Sequence, residues 1–261
     1  MDKLNLKRFI ILCFPIVFAL SLAITLAACM AQAGRTLDES ALGDRENENE
    51  ATTSGAVSGT SPEASIYSSG LTYKAGADGG AILTGIGSCR DEHIRIPEKT
   101  PDGVRITAIG DSAFIGVENL KALTLPTSVK EIGAYAFYGS SLESITLTSG
   151  IQRIGECCFA NCKSLKSINV DSANTEYCSL DGVLFSEDKT NLICYPSGKT
   201  DSEYTMRLGV KNISSAAFYG CTHLVTVRFN GNESEWAQIK IGANNDSLLG
   251  ATLVFKKNDI K

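Results

Sequence analysis

The chain has 261 residues, 43% of them hydrophobic and 20% charged, with a formal net charge of −5. These proportions are those of a folded soluble protein. The acidic balance disfavours nucleic-acid binding, which needs a basic surface to hold phosphates.

Residues 1–28 read as a targeting segment. Lys3, Lys7 and Arg8 precede an apolar run from Phe9 to Leu26, the layout of a secretory signal. The run ends Leu26-Ala27-Ala28-Cys29, which resembles a bacterial lipoprotein signal and implies lipidation of Cys29. The alternative is an uncleaved anchor, since about 18 apolar residues just span a bilayer. Residues 29–65 are acidic, polar and nearly free of large apolar side chains, so a disordered tether is expected. Most of the negative charge of the processed chain falls there, leaving the remainder close to neutral.

Residues 66–261 form the folded domain. In the N-terminal cap, 66–103, Tyr73, Ile82, Leu83 and Ile86 alternate with glycine and polar residues, which predicts strands and turns. Ile94-Arg95-Ile96-Pro97 supplies the first strand slot. One phrase then recurs: Ile-Gly-Asp-Ser-Ala-Phe at Ile109, Ile-Gly-Ala-Tyr-Ala-Phe at Ile132 and Ile-Gly-Glu-Cys-Cys-Phe at Ile154. A fourth copy starts at Ile213 and reaches Phe218. Each copy is followed by a leucine and an alternating pair, such as Leu123/Leu125 and Ile145/Leu147. A period in the twenties marks a solenoid, because one coil cannot bury its own apolar face and needs neighbours. The alternating pair predicts a strand with one buried face, and the glycine is read as permitting a tight turn.

Between Val170 and Val210 the period breaks. Val183–Phe185 and Leu192–Cys194 predict a β-hairpin with a polar tip, an insert spanning 177–199. The phase resumes at Tyr204/Met206. In the C-terminal cap, 230–261, Ile239 and Ile241 leave the pattern, Trp236 is expected to cover the open end, and Leu253-Val254-Phe255 offers a last strand.

These residues resemble the BspA-like leucine-rich repeat family of bacterial surface proteins, whose repeat reads V-x-x-I-G-x-x-A-F-x-G-C-x-x-L-x-x-I-x-I-P. Val129–Leu147, Ile151–Val170 with Asn161-Cys162, and Val210–Phe229 with Gly220-Cys221 carry the resemblance, while Val117 and Ser140 depart from it. It implies an α/β leucine-rich-repeat solenoid: a right-handed stack of about six coils with short parallel strands, short helical turns at the Ala-Phe segments, one hairpin insert and two caps. It also implies adhesion to a host or bacterial surface protein.

Catalytic signals are weak. Of the nine cysteines, Cys13 falls in the targeting segment and Cys29 takes lipid, leaving an odd seven that cannot pair completely within one chain. Buried filler thiols are the expected role, with Cys157 and Cys158 in slots too enclosed for a Cys-His nucleophile. Cys158 and Cys162 are spaced like half a zinc site, but no second pair follows; no metal and no cofactor are expected. The two histidines, His93 and His223, form no motif with them.

What remains is surface. Arg95, Thr124, Thr146, Asn169, Thr205 and Arg228 occupy strand centres and are expected to form one outward row, flanked by Lys121, Glu143 and Lys166. The reading is a non-catalytic, surface-displayed module that grips a macromolecule on this face, with lipid at Cys29 holding it to the membrane. A glycan or cell-wall binding module is the first alternative and requires clustered aromatics from Tyr135, Tyr138, Tyr219 and Trp236. A thiol-dependent enzyme is the second and requires an accessible, reactive cysteine.

Overall fold

The computed structural model describes residues 66–256. The signal and tether expected at 1–65, with the lipid site at Cys29, lie outside the described residues. Each regular coil contributes two short strands, and each set forms its own parallel ladder. The first ladder is the alternating leucine segment: β3 (His93–Arg95), β5 (Ala122–Thr124), β7 (Ser144–Leu147) and β9 (Ser167–Val170). Ile94, Leu123, Ile145 and Ile168 follow one another in register and are buried.

The second ladder is formed by the Ile-Gly phrases: β2 (Ala81–Gly85), β4 (Ile106–Ile109), β6 (Glu131–Ile132) and β8 (Arg153–Ile154). Leu83, Ile109, Ile132 and Ile154 stack there. The cap starts with β1 (Thr72–Ala75), antiparallel to β2. The glycine has a different job from the turn expected of it. A β-carbon on Gly133 would lie 2.5 Å from the amide nitrogen of Asp111, and one on Gly155 would lie 2.3 Å from that of Ala134. Glycine is required because adjacent coils meet backbone to backbone, and neither residue has a positive φ.

Two residues after each of these glycines the backbone turns left-handed, at Ser112, Tyr135 and Cys157, with φ of 57°, 56° and 53°. A right-handed helix cannot run through such a residue. The expected helical turns at Ala-Phe are therefore single tight turns, closed by bonds such as Ser140 N–H to the Phe137 carbonyl at 3.0 Å. Within them the phenylalanines form one inner column. Phe114 and Phe137 stack at 5.1 Å, Phe137 and Phe159 at 5.4 Å, with ring planes nearly parallel, and all three are at most 2% exposed.

The insert is a three-stranded meander: β10 (Tyr177–Leu180), β11 (Val183–Ser186) and β12 (Asn191–Cys194). The hairpin expected from the sequence is β11–β12, and β10 precedes it. Asp181 and Gly182 join β10 to β11 with φ of 53° and 78°. Positive φ at both central residues is the two-residue turn that matches strand twist, and Asp-Gly favours it. β11 is buried on both faces. Its alternation sends Leu184 into the N-terminal core and Val183 and Phe185 into the C-terminal core. It divides two blocks of coils.

Beyond it, β13 (Glu203–Met206), β15 (Thr226–Phe229) and β17 (Thr252–Phe255) continue one parallel ladder. The other runs from β12 through β14 (Asn212–Ile213) to β16 (Lys240–Ile241). Ile241-Gly242 is thus another copy of the Ile-Gly phrase, and Asn244 takes the left-handed slot at φ 61°. The sequence pattern hides it because Asp246 stands where phenylalanine does elsewhere. Helix α1 (Glu233–Trp236) opens with a reciprocal cap between Asn232 and Glu235 and sets Trp236 edge-on to Phe229 at 5.4 Å. Trp236 is half-buried and packs against the C-terminal core, and β16 and β17 continue the stack beyond it. A second short helix, α2 (Asp246–Leu249), buries Leu248.

Candidate functional site

All nine residues of the expected face are exposed: Arg95, Lys121, Thr124, Glu143, Thr146, Lys166, Asn169, Thr205 and Arg228. The row is not continuous. Arg95 pairs with Thr124, and Thr146 with Asn169, in the N-terminal ladder; Thr205 pairs with Arg228 in the C-terminal one. Between them the β10–β11 turn closes the edge of β9, where Ile168 N–H donates to the Gly182 carbonyl at 2.9 Å and Ser179 Oγ donates to the Ile168 carbonyl at 2.6 Å. The charges on the face are partly matched across coils. Lys121 Nζ meets Glu92 at 2.5 Å, and Arg228 pairs with Glu203. Each pairing favours its charged form, so the Glu92 carboxyl is held below its usual range by Lys121. Arg95, Glu143 and Lys166 have no ion pair among the described residues.

The seven described cysteines are all free. Five are buried, and two of these act across coils. Cys162 Sγ donates to the Phe137 carbonyl at 2.9 Å, and Cys221 Sγ to that of Tyr195 at 3.6 Å. Burial pushes the Cys162 thiol up to about 11 and that of Cys221 to about 12. Cys158 and Cys194 are raised well above the ordinary value for the same reason. A thiol held protonated at neutral pH is a poor nucleophile. Cys157 is a correction to the filler reading: it is half-buried and lines a cleft. At this left-handed position Ser112, Tyr135 and Cys157 are half-buried, whereas the next slot holds the buried Ala113, Ala136, Cys158 and Ala217. Among the described residues no group of three or more His, Cys, Asp or Glu is placed to hold a metal ion.

The cleft lies at the seam between the two blocks. Leu192 pairs with Ile213 and so holds the isoleucine slot of the insert coil. Tyr195 holds the phenylalanine slot: it stacks on Phe218 at 5.2 Å and donates N–H to Ala217, as Phe137 donates to Cys158. Only Ile193 and Cys194 stand between those slots, where the other coils have four residues. The left-handed bulge is therefore missing from this coil. A cavity of about 190 Å³ takes its place, walled by Glu156 and Cys157 on one side, Ser215 and Ala216 on the other, and floored by Ile193 and Cys194. Ser214 occupies the glycine slot here, because the short coil leaves room for its hydroxymethyl group, and its hydroxyl bonds to Asn191 at 3.2 Å.

The shortening also breaks a backbone ladder. Ser112 N–H donates to Ala134, Tyr135 N–H to Glu156 and Ala216 N–H to Ala243, the first of the three alternate bonds that regular coils share. At the seam, Cys157 N–H and the Ser215 carbonyl hold the donor and acceptor places of that series, and among the described residues neither has a partner. Three tyrosines cluster near Cys157. Tyr135 lies beside the Cys157 thiol, Tyr135 and Tyr138 meet edge-on at 5.9 Å, and Tyr138 and Tyr219 lie 6.2 Å apart. Three of the four aromatics required by a glycan reading are thus clustered, while Trp236 is in the C-terminal cap. Sequence reasoning missed the cleft; aligning Tyr195 with the phenylalanine slot would have exposed the two-residue deficit.

The repeat geometry and the comparisons agree on the class. Six copies of the "BspA type Leucine rich repeat region" match residues 88–198 and 201–240. The chain belongs to this family. A structure of the pneumococcal vaccine antigen PcpA is similar at 34% identity and a TM-score of 0.51, over 58% of this chain and 35% of that one. The chain therefore spans about a third of that protein's length. A leucine-rich cell-surface protein of Faecalibacterium prausnitzii aligns at 19% identity over 67% of this chain and 71% of that one, with a TM-score of 0.41. A leucine-rich repeat protein of T. pallidum aligns at 24%, over 66% and 79%, with a TM-score of 0.43. Comparison with curated proteins found no match.

Proposed function

We propose that this protein is a non-catalytic adhesion module displayed on a bacterial surface and held to the membrane by lipid at Cys29, followed by a tether through residue 65. Its partner is a protein of a host or neighbouring cell. The observation that carries this reading is that the nine outward residues on the N-terminal leucine ladder and its C-terminal counterpart are all exposed, while Ile94, Leu123, Ile145, Ile168 and Val227 on the opposite face are buried. Solenoids hold partners along such extended faces. Family membership supports a repeat module of this kind, and the raised buried thiols work against thiolate chemistry. No helix among the described residues is long and apolar enough to cross a membrane.

The test is a chain carrying charge reversals at Arg95, Lys121, Lys166 and Arg228, compared with the unchanged chain in capture from host-matrix and bacterial-surface extracts. Binding is expected to fall while the unfolding midpoint holds, since exposed charges contribute little to stability. Undiminished capture would move the site off this face.

A further inference from the structure

We propose that the seam cleft binds a short segment of another polypeptide, backbone to backbone. On the turn side, regular coils share three bonds at alternate residues. Tyr135, Phe137 and Gly139 N–H donate to the carbonyls of Glu156, Cys158 and Ala160 at 2.9–3.0 Å, as Ser112, Phe114 and Gly116 do to Ala134, Ala136 and Tyr138. The carbonyls of the Ile154 coil therefore face back along the stack, and its alternate amides, those of Cys157, Phe159 and Asn161, face forward to the insert coil. Among the described residues none of these three N–H groups has a partner. The insert coil makes its bond on the other side, from Tyr195 N–H to the Ala217 carbonyl at 2.8 Å. Between the two lies the cavity of about 190 Å³, with Cys157 and Phe159 on one wall and Ser215, whose carbonyl is also unpaired, on the other.

The pattern of donors names the ligand. Three donors at alternate residues of one chain call for three acceptors with the same repeat, and a polypeptide backbone has it. The two preceding pairs of coils show that fit in this molecule. A lone amide or a single acetamido group meets one donor and leaves the others unpaired. An anion is disfavoured, because the exposed Glu156 carboxylate and the Ser215 carbonyl flank the site. Unpaired backbone donors on a buried segment are costly, and Cys158, Phe159 and Ala160 are at most 4% exposed. Laying a chain along an open backbone edge relieves that cost, and main-chain bonds then supply the affinity.

The walls select the side chains. Ile193 and Cys194 form the floor, and Ser214, Ser215 and Ala216 stand opposite, all of them uncharged. The core beneath is already closed by Leu184 and Cys194, so no large apolar residue is needed from the ligand. The volume is below the roughly 300–1,000 Å³ of drug-sized sites, which suits a backbone carrying small side chains. The segment recognised is one rich in glycine, alanine and serine, and its own N–H groups can donate to the Ser215 carbonyl. The site shares no residue with the ladder face and stands whether or not that face binds protein.

The experiment is an NMR titration of the full chain with acetyl-(Gly-Ala)3-amide, with N-acetylalanine methylamide and with tri-N-acetylchitotriose. The hexapeptide is expected to bind at least about tenfold tighter than the single-residue amide, which is too short to bridge alternate donors. The amides of Cys157, Phe159 and Asn161 should shift together and exchange more slowly. Ser215→Trp, which fills the cleft, should abolish these shifts, and Thr124→Ala should leave them unchanged. The unaltered chain decides the matter even if Ser215→Trp fails to fold. No binding of the hexapeptide, equal affinity for it and the single-residue amide, or a shift confined to Cys157 would overturn the proposal. Tighter binding of the sugar than of the hexapeptide would overturn it too, and assign the cleft to glycan.

Discussion

In the N-terminal block Phe114, Phe137 and Phe159 lie face to face and the Ile-Gly phrases recur at intervals of 23 and 22 residues. In the C-terminal block the same slots hold Tyr195, Phe218 and then Asp246, with the Asn245 carboxamide bonded to Phe218 N–H, and the spacing is irregular. Both blocks nevertheless keep two parallel ladders in register. The difference shows that the stack tolerates changes in what fills a slot, provided that the backbone of one coil still meets the backbone of the next. Where a coil is two residues short, the core closes but the turn side does not, and the cleft results.

Several substitutions would break or sharpen that contrast. The largest effect is expected inside the column: Phe137→Ala should cost about 3–5 kcal/mol, since the ring is sandwiched between two others and leaves a cavity. Urea unfolding checks it, and a midpoint change no greater than that of Thr124→Ala would speak against a shared core. Next comes close approach. Gly155→Ala should cost about 1–3 kcal/mol by forcing coils apart, whereas Ser214→Ala, in the corresponding slot beside the seam, should cost less than about 1. Equal losses at the two sites would mean that the seam coil is as tightly apposed as the others. Gly182→Ala combines a positive φ with a contact of 2.9 Å to Ser167 Cβ, and should cost about 1–2 kcal/mol.

Thiol accessibility should divide in the same way. Iodoacetamide at pH 8 is expected to reach the half-buried Cys157 and Cys178 in the native protein and to reach Cys158, Cys162, Cys194 and Cys221 only on unfolding. Rapid native labelling of Cys162 would contradict its place in the core. Its titration carries a sign: folded Cys162 holds its proton up to about 11, against 9.0 when unperturbed. The contribution is fully present below 9, and stability declines as pH rises from there through 11. The smallest effect is expected on the surface, where reversing Arg95 or Lys166 should leave the unfolding midpoint where it was.

Much of this was legible in the sequence, for a physical reason. The alternating pairs and the phenylalanines face a one-dimensional core, so their period is strict, and the first ladder, the inner column and the family could be read directly. The second ladder escaped because β6 and β8 are two residues long, too short for alternation to register. Its last rung, Ile241-Gly242, escaped because no phenylalanine follows it. β10 has no strand assigned from the sequence although Asp181-Gly182 announces the turn that follows it. The expected binding row was right about exposure residue by residue and missed the break at β9, since nothing in a strand's own pattern tells which segment lies at its edge. The cleft was hidden most deeply. It arises from residues that are not there, two of them, between Leu192 and Tyr195.

Amide hydrogen exchange on the native protein tests the stacking and its interruption together. The amides of Ser112, Tyr135 and Ala216 each donate to a neighbouring coil, and slow exchange is predicted for all three, with Cys157, in the same slot at the seam, exchanging much faster. Protection of Cys157 equal to that of Tyr135 would contradict the account.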